Sequence, residues 1–121
     1  MLTIPELRLK KQQKQKITML TCYDATFAAV IDEAGIDIVL VGDSLGMTIE
    51  GHDSTVSVTL ETMCYHTAIV KRKITNALIV ADLPFGSYEE SREKAYHSAV
   101  QLMKAGANPV SYTHLRAHET G

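Results

Sequence analysis

Short apolar runs alternate with longer segments of helical period along this chain. Ile17–Cys22 (ITMLTC) reads as a strand. Asp24 then stands where a helix N-cap belongs, ahead of a helix through Ala34, and Gly35 supplies a left-handed stop. Ile36–Val41 (IDIVLV) is β-branched and apolar apart from Asp37, as a parallel strand covered on both faces requires. A stretch rich in Gly, Ser, Thr and His, Gly42–Val58, is predicted to be a long loop, and loops of that length are usually functional or disordered.

Thr59–Lys73 resumes the helical period, with Leu60, Met63, Cys64, Thr67, Ala68 and Val70 near one stripe. Ala77–Ala81 (ALIVA) is wholly apolar and predicts a third strand, ending at Asp82-Leu83-Pro84. Ser87-Tyr88-Glu89-Glu90 has capping-box spacing and predicts a helix over Tyr88–Ala105, stopped by Gly106 as Gly35 stops the earlier one. The order β-α-β-α-β-α defines an α/β chain with parallel strands and right-handed crossovers. It fits an open doubly wound sheet or the start of a (β/α)8 barrel, although a whole barrel takes about 250 residues and this chain has 121. An edge at the third strand would then be unpaired and prone to association.

Composition narrows the function classes. A hydrophobic share of 45% with 21% charged residues is ordinary for a globular domain. The net charge of −2 supplies no field for nucleic acid or anionic lipid. The basic run Arg8–Lys16 has no interleaved aromatics and reads as a solvated helix face. No apolar stretch reaches a membrane span and no signal-peptide core opens the chain, so a cytoplasmic location is expected. Cys22 and Cys64 lack metal-type spacing and read as small buried hydrophobes, kept reduced.

Candidate chemistry gathers where strands end. Asp43 and Asp82 each follow a predicted buried strand, by two residues and by one. If the strands are neighbours, roughly 4.8 Å apart, both carboxylates project from the C-terminal edge, where parallel α/β folds bind ligands. Two acids so placed repel unless a proton or cation lies between them, and a hard divalent ion such as Mg2+ suits them. Either aspartate alone reads equally as a cap for the turn that follows. Ser44 offers a hydroxyl and a backbone N–H for a substrate carboxylate, or serves only its own turn. His52, in the Gly-rich stretch, reads as an acid, a ligand or a structural donor, while His66 and His97 fall on helices. No phosphate-binding or dinucleotide-binding glycine motif occurs, and no H-E-x-x-H.

The loop wording is more specific than the strand pattern. VGDSLGMTIEGHDSTVSVTLETMCYHTAIVKR, followed by ADLPFGSYEES and MKAGAN, resembles the ketopantoate hydroxymethyltransferase family from the N-terminal helix to about Asn108. The resemblance implies that residues 1–108 are the first three β/α units of a (β/α)8 TIM barrel of the phosphoenolpyruvate/pyruvate-binding type, truncated. It implies transfer of a one-carbon unit from 5,10-methylenetetrahydrofolate to the 2-oxo acid 3-methyl-2-oxobutanoate, on the route to pantothenate and coenzyme A. It implies Mg2+ held by Asp43 and Asp82, with Asp43, Ser44 and Asp82 lining the oxo-acid site, and homo-oligomers that are decamers in the bacterial form.

The chain departs from the family after Asn108. The family continues with a strand of the form M-V-K-[IL]-E-G-G, carrying a substrate-binding Lys and a Glu of the metal shell, and its catalytic Glu lies further on. Here Pro109-Val110-Ser111-Tyr112-Thr113-His114 stands instead, so no catalytic residue is assigned. Val110–Thr120 resembles the in-frame translation of a transposon-derived sequencing adapter, and residues 109–121 are expected to be a non-native tail. The competing expectation is a native tail binding metal through His114 and His118. Alternatives for function are an Mg2+-dependent 2-oxo-acid C–C lyase or mutase of the same barrel superfamily, and a noncatalytic truncated protein that binds metal or intact subunits. The chain alone is expected to be inactive.

Overall fold

The computed structural model describes residues 3–86 and 91–108. A three-stranded parallel sheet in the order β1-β2-β3 organises them: β1 is Met19–Thr21, β2 Ile38–Val41 and β3 Leu78–Ala81. Thr21 pairs with Leu40, and Val41 with Ala81, so the strands end together at one edge. All three predicted strands form, each shorter than its apolar run.

Among the described residues five helices accompany the sheet: α1 Ile4–Gln12, α2 Ala25–Glu33, α3 Leu45–Thr48, α4 Leu60–Lys71 and α5 Arg92–Ala105. Asp24 caps α2 as expected, its carboxylate accepting the Phe27 N–H at 2.8 Å. Gly35 closes that helix at φ +77°, a conformation that costs a side chain but not glycine. Thr59 caps α4 through the Thr62 N–H at 3.1 Å. The last helix differs from the sequence expectation: Ser91 is extended and caps α5 through the Lys94 N–H, so the helix begins at Arg92 and not at Tyr88. The predicted capping box Ser87–Glu90 and the tail 109–121 lie outside the described residues.

The core lies between the sheet and α2, α4 and α5. Val39 and Val41 pair with Ile79 and Ala81, and these four pack with Ala28, Met63, Val70, Ala99 and Leu102. Met63, Thr67 and Val70 are the buried positions of the α4 stripe, and Thr67 bonds back to the Met63 carbonyl at 2.7 Å, so its hydroxyl is satisfied. By contrast, every residue of β1 is exposed, and Met19, Leu20, Phe27 and Val30 present apolar surface near that edge. β3 is the other edge of the sheet, as expected, but it is not unpaired at Ile79. β3 is buried throughout, and Asn108 occupies both backbone groups of Ile79.

At the opposite, N-terminal edge of the sheet two aspartates tie elements together. Asp37 accepts from Lys10 Nζ at 2.8 Å and from the Thr18 N–H at 3.1 Å, which anchors the otherwise exposed α1. Asp32 accepts from Thr75 Oγ1 at 2.6 Å and from the N–H groups of Thr75 and Asn76 at 3.1 and 2.9 Å, fixing the turn into β3. Lys10 is thus the member of the basic run with a defined partner, a carboxylate of the fold.

Candidate active site

The three strands deliver their following residues to one edge. Beyond β1 come Cys22, Tyr23 and Asp24; beyond β2, Gly42, Asp43 and Ser44; beyond β3, Asp82, Leu83 and Pro84. The Cys22 N–H still reaches the Leu40 carbonyl at 3.0 Å, and the Asp82 N–H reaches Val41 at 3.1 Å, so the ladder extends to the point where the side chains diverge. Parallel register therefore places the two sequence-predicted carboxylates on adjacent strand ends.

Asp43 and Asp82 are in contact through the backbone. The Asp43 N–H donates to Asp82 Oδ2 at 3.1 Å, and both residues are half-buried. Gly42 makes this approach easy: a Cβ there would stand 3.4 Å from Asp82 Oδ2 and 3.4 Å from Ser44 Oγ. The arrangement brings one oxygen of Asp82 over the turn that carries Asp43 and Ser44. A half-buried edge with two carboxylates on adjacent strand ends is a hard-oxygen donor set, of the kind that suits Mg2+ completed by water and by a bidentate oxygen ligand. Among the described residues no group of three or more His, Cys, Asp and Glu side chains gathers to hold a metal. The donors at this edge are the hard oxygens of two carboxylates, the type Mg2+ takes.

Ser44 is drawn into the same edge by its neighbour. Its Oγ shares a hydrogen bond with the Tyr23 hydroxyl, either oxygen being able to donate. Tyr23 is held in turn by α4, where His66 Nδ1–H donates to its carbonyl at 2.7 Å. Sequence reasoning placed His66 on a helix as an ordinary interfacial residue and gave Tyr23 no role. The signal available was positional: Tyr23 follows β1 by the same two residues that separate Asp43 from β2.

Gly42–Val58 is more ordered than its composition suggests. Leu45–Thr48 forms the short helix α3, with Leu45 fully buried and Gly46 against Val58. The His52 N–H donates to the Gly46 carbonyl at 2.8 Å, folding the segment back on that helix. The His52 ring lies 3.9 Å from Glu50 Oε1 on the exposed side of the segment. His97 lines a separate cleft of about 420 Å³ with Val56, Leu60, Phe85 and Lys94. Cys22 is buried and Cys64 only half-buried; burial raises both thiol pKa values, so neither is poised as a thiolate. No helix among the described residues is long and apolar enough to cross a membrane.

A parallel β/α sheet with consecutive strands adjacent defines a barrel-type α/β segment, and solved structures share the fold. Phosphonopyruvate hydrolase, determined with oxalate and Mg2+, superposes with a TM-score of 0.67 at 14% identity, covering 84% of this chain and 35% of that one. 2,3-Dimethylmalate lyase, a member of the PEP mutase/isocitrate lyase superfamily, superposes with a TM-score of 0.62 at 17% identity, covering 85% of this chain and 37% of its own. The described strands and helices thus have the fold of the first three β/α units of a TIM barrel.

Sequence comparison is more specific. The chain belongs to the ketopantoate hydroxymethyltransferase family, whose sequence profile matches residues 1–115. It is 52% identical over 110 residues to 3-methyl-2-oxobutanoate hydroxymethyltransferase of Neisseria gonorrhoeae, covering 91% of this chain and 42% of that protein. It is 57% identical over 112 residues to the protein of that name from Acidovorax sp., covering 89% of this chain and 38% of the relative. The chain therefore spans about two-fifths of the length of these curated relatives.

Proposed function

We propose that this chain is the N-terminal part of an enzyme that moves a one-carbon unit from 5,10-methylenetetrahydrofolate to 3-methyl-2-oxobutanoate, forming ketopantoate. The observation that carries the reading is the meeting of Asp43 and Asp82 at adjacent strand ends, within a chain of this family. Water balances the reaction, because the transferred methylene must gain a hydroxyl when it leaves the folate.

In this reading Asp43 and Asp82 hold Mg2+, and Ser44 binds the carboxylate of the oxo acid. When bound, the ion supplies Lewis acidity at the 2-oxo group, which acidifies the neighbouring C3–H. The chain's own residues then bind and orient. Asp82 Oδ2 fixes the turn by accepting from the Asp43 N–H, and the buried Leu45 anchors the segment just after Ser44. Proton removal from C3 needs a base, which we do not assign to these residues. The product would enter pantothenate and coenzyme A synthesis, in the cytoplasm, from a homo-oligomeric enzyme with small-molecule partners and neither nucleic acid nor membrane.

Two measurements test this. In a full-length enzyme in which residues 1–108 replace the matching segment of the Neisseria gonorrhoeae relative, ketopantoate formation should require both Mg2+ and 5,10-methylenetetrahydrofolate. Folate-independent cleavage of a C–C bond would instead support a lyase. The purified 121-residue chain should form no ketopantoate, and measurable Mg2+-dependent formation by it would refute the assignment of the base elsewhere. We propose further that residues 109–121 are foreign to the barrel; sequencing the source DNA across codon 109 tests this, and a frame that truly encodes them refutes it.

A further inference from the structure

We infer that Tyr23 is a positioning residue for substrate binding, acting through Ser44, with His66 fixing where Tyr23 stands. The inference rests on the reading of Ser44 as a ligand of the oxo-acid carboxylate and adds to it the group that sets the direction of the Ser44 proton.

A serine hydroxyl carries one proton and two lone pairs. It is useful to a carboxylate only when that proton points at the carboxylate, because an ionised carboxylate accepts and cannot donate. The bond between the Tyr23 hydroxyl and Ser44 Oγ can run either way. If Ser44 donates to Tyr23, its proton is spent. If Tyr23 donates, a Ser44 lone pair is filled and the Ser44 proton is left for a ligand. A bound carboxylate selects the second arrangement, and the donated bond polarises the serine O–H, strengthening what it gives. Tyrosine suits this task because the phenol is a better donor than an aliphatic hydroxyl.

The placement of Tyr23 is built from two sides. On one, the extended ladder of β1 holds the preceding residue, with the Cys22 N–H on the Leu40 carbonyl at 3.0 Å. On the other, His66 Nδ1 reaches the Tyr23 carbonyl at 2.7 Å. That carbonyl can only accept, so Nδ1 carries a proton. The imidazole is steadied in turn by Tyr65, whose ring meets it edge-on with centroids 5.4 Å apart. Two secondary elements thus fix the backbone of the tyrosine whose hydroxyl meets Ser44 Oγ. A tyrosine needed only for packing requires no such support, and its hydroxyl would be equally well served by water.

The test is a double-mutant cycle in the full-length hybrid enzyme described above, reading the KM and kcat for 3-methyl-2-oxobutanoate. Tyr23→Phe keeps the ring and removes the proton. The expected result is a KM raised by roughly three- to tenfold, as for loss of one neutral hydrogen bond that aims another, with kcat changed much less. Ser44→Ala should raise the KM at least as much, and adding Tyr23→Phe to it should do nothing further. A Tyr23→Phe effect that persists in the Ser44→Ala background would show that tyrosine acts otherwise, and overturn the inference. So would a KM unchanged by Tyr23→Phe where Ser44→Ala raises it. If Ser44→Ala itself leaves the KM unchanged, the reading of Ser44 fails first, a separate result.

Discussion

Asn108 grips Ile79 at both ends of one peptide register. Its backbone N–H donates to the Ile79 carbonyl at 2.8 Å, and its side-chain Oδ1 accepts the Ile79 N–H at 2.7 Å. The first bond has the form of a strand pairing; the second replaces the pairing that a further backbone carbonyl would make. Ile79 is the buried middle of β3, where an unpaired N–H is costly. Asn108→Ala is expected to lower stability by about 1–3 kcal/mol, the cost of leaving a buried donor unsatisfied. Asn108→Asp keeps the acceptor and should cost less at neutral pH. Urea unfolding of the two variants checks the order, and faster amide exchange at Ile79 in the alanine variant locates the effect.

This contact also marks how far the sequence could be read. Strand and helix order followed from period and caps, since Asp24, Gly35 and Gly106 each punctuate the chain by local chemistry, while Thr59, read as helical, proves to be a cap. The pairing of Asp43 with Asp82 followed from consecutive parallel strands. What the sequence hid depends on tertiary contact. The Asn108 amide was legible as a polar residue after a helix, but not as a stand-in for a strand. Ser91 caps α5 because it is the residue that turns extended, and spacing alone does not say which residue will. Tyr23 and His66 carried no motif, and only the fold of β1 against α4 brings them to Ser44.

Gly46 shows the same dependence on packing. A Cβ at this position would lie 2.3 Å from Val58 Cγ2, and Val58 is itself buried. A β-branched side chain in a packed site cannot swing clear cheaply. Gly46→Ala should therefore push α3 off Val58 and destabilise the chain by about 1–3 kcal/mol, in spite of alanine's better helix propensity. Relieving the clash with Val58→Ala in the same chain should restore part of the loss when thermal midpoints are compared. An alanine at position 46 with no effect would mean that α3 does not rest on Val58 in solution.

The carboxylate pair predicts a split between two substitutions of one residue. Asp82→Asn keeps an oxygen to accept the Asp43 N–H but removes the charge; Asp82→Ala removes both. Loss of one unit charge close to a divalent ion should weaken Mg2+ binding on the order of tenfold or more in either variant. Only Asp82→Ala should also loosen the turn, seen as faster exchange of the Asp43 amide. Calorimetric titration of Mg2+ into the full-length hybrid, beside amide exchange on the chain itself, separates charge from architecture. Equal Mg2+ affinity in all three proteins would remove Asp82 from the metal site.

The Lys10–Asp37 pair carries a pH dependence with a definite sign. The Lys10 ammonium, followed by the Thr18 N–H, holds the Asp37 carboxyl below its ordinary pKa, and Thr18 Oγ1 adds to this. On Asp32 burial opposes ionisation, but the Thr75 hydroxyl and the N–H groups of Asn76, Thr75 and Ala77 outweigh it, so its pKa is also lowered. Both groups thus bind protons more weakly folded than unfolded. Their stabilisation is fully present above the unfolded carboxyl value, about 4, and is lost as pH falls through the lower folded values. Stability should accordingly fall with acid below roughly pH 4. Asp37→Asn should be less stable than the parent at pH 7, with the gap closing in acid. Because the pair is partly solvated, the gap at pH 7 should also shrink when salt is raised. Urea unfolding at neutral and acidic pH, each at low and high salt, measures all three trends. A gap that stays constant with pH would mean that Asp37 acts through its shape and hydrogen bonds and not through its charge.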